Sequence, residues 1–245
     1  MRLAAIRQAC QAFIAGPMAE QLNQIAANVM PQDRFQVELD QDDPDGQTLL
    51  LWYPPVANDG GDYIRSAVKI EAGAKSALDP HTAATVTPYV NEDLSDIELA
   101  VSKVITVKPE RTFWDKVMIL HGLRQWHDRR GELRQGGQRV SRHYYDVHQL
   151  MQANLKDDWQ ADHALAADCA SHARLFFGSA DLGLDSAAPG TFTLVPSAAM
   201  RDELHRDYAA MAGMIFGAVP SFADVLQSAE QFERIVNAGN SLAST

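Results

Sequence analysis

The sequence predicts an α+β protein in which a small mixed β-sheet is followed by a C-terminal helical bundle. Three observations predict it. Short β-rich runs bounded by Asp, Pro and Gly are confined to the first 108 residues. Beyond Pro109, apolar residues recur at helical spacing almost to the C-terminus. A chain of 245 residues with 46% hydrophobic and 22% charged residues can fill one large domain or two small ones. The expected division is a sheet domain with N-terminal helices over residues 1–108 and a helical domain over residues 109–240.

Residues 2–28 place Leu3, Ile6, Cys10, Phe13 and Ile14, then Leu22, Ile25 and Val29, at helical spacing interrupted at Gly16-Pro17. This predicts two helices or one broken helix. The runs RFQVELD and TLLLWYP flank QDDPDG, whose Asp, Pro and Gly form turns, so residues 34–53 read as a hairpin. A third run, YIRSAVKIEAG (63–73), and a fourth, KVITV (103–107), complete the small sheet. Between them lie Pro80 and Pro88 with no long apolar period, which predicts loop with short irregular elements. Helical patterns then occupy 111–127, 141–153, 159–177, 199–217 and 221–237, divided by GELRQGGQ (131–138) and GSADLGLDSAAPG (178–190). There is no internal repeat.

A net charge of −11 argues against broad, nonspecific nucleic-acid binding. Residues 124–142 are the exception, with Arg124, Arg129, Arg130, Arg134, Arg139 and Arg142 set against Asp128 and Glu132. Such a patch is either a local site for phosphates or a solvated arginine-rich loop. Cys10 and Cys169 lie in alanine-rich, helix-like contexts without CxxC spacing and read as reduced packing residues. No run approaches the roughly 18 apolar residues of a membrane span, and the N-terminus lacks a secretory apolar region, so the expected location is cytoplasmic.

Two helices carry an ionisable residue at the edge of an apolar arc. In PERTFWDKVMILH, residues Phe113, Trp114, Val117, Met118 and Leu120 share a broad arc, Asp115 and Gly122 mark the opposite side, and Lys116 falls between Leu120 and Leu123. In SRHYYDVHQLM, Asp146 lies beside the arc of His143, Tyr144, Val147, Leu150 and Met151, with Ser141 as candidate N-cap. The plain readings are a snorkelling Lys116 and an Asp146 paired to Arg142 four residues earlier. The alternative is a cleft that binds phosphate and orients something against it. In VKIEAG, alternation puts Glu71 on the face of Lys69, either as an exposed strand residue or as a carboxylate holding a divalent metal on a nucleotide.

PERTFWDKVMILH followed by RVSRHYYDVHQL resembles the AbiEii/AbiGii-type nucleotidyltransferase toxins of the DNA polymerase β-like superfamily. LLLWYP, YIRSAVKIEAGAKS and FTLVPSAAMRDELHRDYAAMAGMIFGAVPSF extend the resemblance, in family order, over most of the chain from about residue 35. It implies a type IV toxin-antitoxin or phage-defence protein with a cognate antitoxin. The implied reaction transfers a nucleotide from a nucleoside triphosphate, with Mg²⁺, to an RNA acceptor such as tRNA. It assigns Lys116 and Asp146 as catalytic residues, Lys116 and Arg142 to the nucleotide, and Glu71 to the acidic, metal-binding set. Arg129, Arg130, Arg134 and Arg139 would then face RNA.

The family also bears, upstream, a Gly-Gly-Ser/Thr turn that grips phosphates and a strand Asp-x-Asp that holds metals. Neither is found here: the Gly-Gly pairs at 60 and 136 lack a suitable Asp-x-Asp, and Asp40-x-Asp42 falls in a turn expected to be solvated. The chain is therefore expected to hold an incomplete nucleotidyltransferase fold, corresponding to the C-terminal two-thirds of a toxin, with little or no activity alone. The competing expectation is a non-catalytic remnant that binds nucleotide, RNA or antitoxin. An HD-type phosphohydrolase built on His127-Asp128 is disfavoured, because His143 and His148 do not share a helix face.

Overall fold

The computed structural model describes residues 3–55, 65–73, 75–94, 96–137, 139–153 and 159–238. The chain forms two compact units, Met1–Ser76 and Ala77–Thr245. Tyr63 and Ile64 of the third expected run, and the Gly60-Gly61 pair, lie outside the described residues.

In the first unit, α1 (Leu3–Phe13) and α2 (Ala19–Val29) are joined by a π-helical turn, Ile14–Met18, that contains Pro17. The Ala19 N–H reaches Ile14 O, five residues back, so the helical backbone continues through the proline. The two helices expected on either side of Gly16-Pro17 are thus present, joined through a π turn. β1 (Gln36–Leu39), β2 (Thr48–Trp52) and β3 (Ala67–Glu71) form an antiparallel sheet in the order β1-β2-β3. The expected hairpin is present, with Leu39 opposite Leu49 and Gln36 opposite Trp52. Asp43 shapes its turn by accepting hydrogen bonds from Asp45 N (2.9 Å), Gln47 N (2.8 Å) and Thr48 Oγ1 (2.8 Å). Burial acts to raise the Asp43 pKa, but these bonds outweigh it and hold the carboxyl below its ordinary value. Among the described residues, Ile14, Ala26, Leu49 and Leu50 are the buried apolar side chains of this unit.

The second unit opens with an antiparallel ribbon of β4 (His81–Val86) and β5 (Val101–Val107). Among the described residues, KVITV does not join the first sheet. It pairs instead with HTAATV, a stretch expected to be loop, and both sheets are antiparallel where a single mixed sheet was expected. A register shift between Ala84 and Val86 lies near Lys103, which takes φ 60°.

Five helices follow: α3 (Pro109–Arg130), α4 (Ser141–Gln152), α5 (His163–Phe177), α6 (Ala198–Met211) and α7 (Phe222–Ala238). The α+β class and the C-terminal helices agree with the sequence reading. α3 starts with Pro109 at its first turn, where no N–H is required, and ends at Gly131, whose φ of 73° suits a left-handed cap. It packs on α4, α5 and the 3₁₀ turn Ala180–Leu182, while α4 packs on α6 and α7. Consequently α3 is buried on nearly all sides of its middle turns, and Gly122, expected on the open side, is buried against Leu182.

The core is aromatic. Phe113 and Phe232 meet edge to face at 4.7 Å between ring centroids, Trp114 lies 5.5 Å from Phe232, and Phe192 lies 6.1 Å from Trp114. Side chains of α7 secure the segment that carries Phe192: Asn237 exchanges hydrogen bonds with Phe192 N and O, and Glu233 accepts from Leu194 N and Val195 N. At the first turn of α3 the buried Arg111 donates to Asp115 (3.3 Å), to Asp79 O (3.1 Å) and to Asp168 of α5.

Phe232→Ala empties the centre of this cluster, and a loss of about 3–5 kcal/mol of unfolding free energy is expected in urea titration. Ile235→Ala, on the exposed side of α7, is expected to change stability by about 0.5 kcal/mol or less. Similar losses from both would contradict this placement of α7.

Candidate functional site

α3 and α4 together bring Lys116, His143 and Asp146 to one place. His143 and Asp146 are three residues apart on α4 and therefore project from the same face, toward α3. Lys116 Nζ lies 2.7 Å from Asp146 Oδ2 and 3.4 Å from His143 Nδ1. With its side chain 22% exposed, Lys116 does not snorkel away from the core but reaches across to α4. Nor does Asp146 pair with Arg142, which is exposed one turn earlier.

Burial, followed by the charges of Lys116 and Arg142, pushes His143 down to a pKa of about 3. The imidazole is therefore neutral at physiological pH. Since an ammonium has only donors, the Nδ1 facing Lys116 must be the accepting nitrogen, which leaves the ring proton on Nε2. Two of the three ammonium N–H groups thus point to α4, and the side chain keeps 22% of its surface exposed to an incoming acceptor. A partly exposed cation held in this way, with Arg142 nearby on α4, suits phosphate oxygens. The sequence placed His143 on the apolar arc and gave no sign of this role.

The position of α4 is set at its start. Ser141, the expected N-cap, is the first helical residue, and its side chain does not cap its own helix. Asp207 of α6 does so instead, accepting from Arg139 N (2.6 Å), Ser141 N (2.8 Å) and Ser141 Oγ (2.5 Å).

The arginines of residues 124–142 are largely engaged with the protein itself. Arg124 pairs with Asp128 and donates to Val195 O, Arg129 donates to Ala180 O, and Arg130 pairs with Asp181. Arg130 and Arg134 also lie over the Trp126 ring, each 5.6 Å from its centroid. Arg139 is exposed, with φ 58°.

Glu71 lies in the first unit, on β3, where Lys69 Nζ holds its Oε1 at 2.8 Å. Lys69 also lies 3.5 Å from Asp40, and Arg65 pairs with Asp42 at 2.8 Å. Asp40 is buried instead of solvated, because the end of the hairpin folds it under these cations. Glu71, Asp40 and Asp42 each face a cation of the chain. Among the described residues, no three His, Cys, Asp or Glu side chains gather as a metal site. As they stand, these described carboxylates are matched to cations of the chain and do not fit a divalent metal. His148, the other histidine weighed for metal chemistry, is buried and bonded to Ser228 Oγ at 2.8 Å. Cys10 and Cys169 are both free thiols, and Cys169 is buried.

The histidine carries a stability signature. Its folded pKa lies below the value of about 6.5 expected in the unfolded chain, so the unfolded state binds the extra proton first as pH falls. The stabilisation is complete above about pH 6.5 and declines toward pH 3. The wild type is expected to lose more unfolding free energy between pH 7 and pH 5 than His143→Gln, which keeps an acceptor but does not titrate. Identical losses in urea titrations would show that His143 titrates normally.

Residues 2–237, nearly the whole chain, match the family described as nucleotidyl transferase AbiEii toxin, type IV toxin-antitoxin system. No curated protein and no solved structure matches the chain. No described helix is long and apolar enough to cross a membrane. The chain belongs to the AbiEii nucleotidyltransferase toxin family of type IV toxin-antitoxin systems.

Proposed function

We propose that this protein takes part in nucleotide transfer from a nucleoside triphosphate to an RNA acceptor, in particular tRNA, with Lys116 as the phosphate-binding cation. The observation that carries the reading is the ammonium of Lys116, fixed by Asp146 and His143 yet still open to solvent. Electrostatic stabilisation and positioning dominate phosphoryl and nucleotidyl transfer, and a held cation supplies both. Arg142 adds a second cation for the triphosphate. Asp146 orients Lys116, and in this reading it also serves as the base for an attacking hydroxyl.

In this reading Mg²⁺ arrives with the triphosphate. The engagement of Glu71, Asp40 and Asp42 by cations supports the further proposal that this chain alone transfers little or no nucleotide. The same engagement favours, as a second reading, a protein that binds nucleotide, RNA or its antitoxin without chemistry. A phage-defence role and a cytoplasmic setting fit both readings.

The test incubates the 245-residue chain with Mg²⁺, labelled nucleoside triphosphates and total tRNA, and measures triphosphate binding separately by calorimetry. Binding without appreciable label transfer is expected, and Lys116→Ala should weaken binding about tenfold, the scale of one lost charged hydrogen bond. Asp146→Ala should weaken it less, because the cation remains. Robust label transfer would overturn the low-activity proposal, and unchanged binding by Lys116→Ala would overturn the site.

A further inference from the structure

The last turns of α3 and α5 and the residues that follow α5 enclose a cleft of about 510 Å³, within the roughly 300–1,000 Å³ typical of small-molecule sites. It lies away from the Lys116 site: at 1.5 Å rise per residue, Arg129 is about 20 Å farther along α3 than Lys116. Its polar lining includes Arg129, Arg174, Ser179, Asp185 and Ser186.

The two arginines are held where they stand by backbone carbonyls. Arg129 Nη1 donates to Ala180 O, whereas Arg174 Nη1 donates to Leu184 O at 3.1 Å and its Nη2 to Ser171 Oγ at 3.1 Å. A guanidinium carries five N–H groups, so each is anchored along one edge and keeps donors to offer. Both side chains belong to exposed residues, so those donors are open to a ligand from solvent. The nearby Asp181 does not neutralise them, because it is paired to Arg130. Two guanidiniums therefore face one lining carboxylate, Asp185, and the cleft is cationic in a strongly acidic protein.

We propose that this cleft is a second phosphate-binding site, occupied by a backbone phosphate of the RNA acceptor. Preset guanidinium forks match phosphate oxygens. Among the described residues the lining contains no aromatic ring on which a base could stack, so the site reads the backbone and not the base. A site about 20 Å from the phosphate-binding lysine serves a polymer that spans both, which a free nucleotide cannot do. This assignment rests on the RNA-acceptor reading above, but its test does not require catalysis.

The test measures binding of a fluorescein-labelled single-stranded RNA 12-mer by anisotropy across a sodium chloride series, and binding of AMP by calorimetry. Thermal unfolding verifies that each variant is folded. Arg174→Gln is expected to weaken RNA binding about tenfold and to reduce the salt slope by about 0.7 for one lost phosphate contact. Arg174→Lys should retain most of the slope. Arg129→Gln should act in the same direction as Arg174→Gln, and Lys116→Ala should not abolish the effect of Arg174→Gln on RNA.

Unchanged RNA binding in folded Arg174→Gln and Arg129→Gln would overturn the proposal. AMP binding sensitive to Arg174→Gln, without RNA binding, would overturn the assignment to a polynucleotide. Loss of RNA binding in Arg174→Gln, combined with unaltered triphosphate binding in Lys116→Ala, would keep the cleft and reject the lysine site instead.

Discussion

The second unit depends on a helix with almost no open side along its middle. A buried polar or charged group is costly unless it is paired, so a polar side chain along α3 gains from a partner on a neighbouring element. Arg111 finds Asp168 of α5, Lys116 finds Asp146 of α4, and His121 meets Gly183 O and Thr193 N. Arg124 completes the series through Val195 O. These ties reach, in turn, nearly every element that surrounds α3. Packing alone would permit α4 or α5 to slide along an apolar helix. The paired charges fix their register, and one of those pairs is also the candidate site.

The hairpin and the five C-terminal helices were legible because each rests on local signals: Asp-rich turn residues between β-branched runs, and apolar periodicity over several turns. What was lost depended on distant neighbours. HTAATV has little apolar alternation, and only its pairing with Val101–Val107 makes it a strand. On a helical wheel Gly122 falls opposite the apolar arc of α3, on the side expected to be open. It is buried because the Ala180–Leu182 turn, far along the chain, comes against it. The helical turn at Pro17 defeated a simple rule about proline, since a π turn shifts the hydrogen bonds that the ring would otherwise disrupt.

The candidate site was legible in its parts and not in its wiring. Lys116 and Asp146 both stand out in the sequence as charges at the margin of apolar arcs. Helical spacing suggested Arg142 as the partner of Asp146, yet the half-buried Lys116 takes that place, because attraction grows as solvent is removed and exposed helix pairs gain little. His143 could not be assigned from the sequence, since its role requires a neutral ring and hence the burial that only α3 and α4 together provide. Glu71 does share its strand face with Lys69, as alternation predicts, and that neighbour is also what holds it.

Asp207 settles a further matter. A helix start, with its unpaired N–H groups and partial positive charge, is a common resting place for phosphate. The start of α4 adjoins the candidate site, but a carboxylate from α6 already occupies that position and accepts both Ser141 donors. A phosphate brought there would meet a negative charge in place of a row of free amides. Anion recognition beside α4 therefore has to come from side chains, which are long, adjustable and removable one at a time, and not from the backbone.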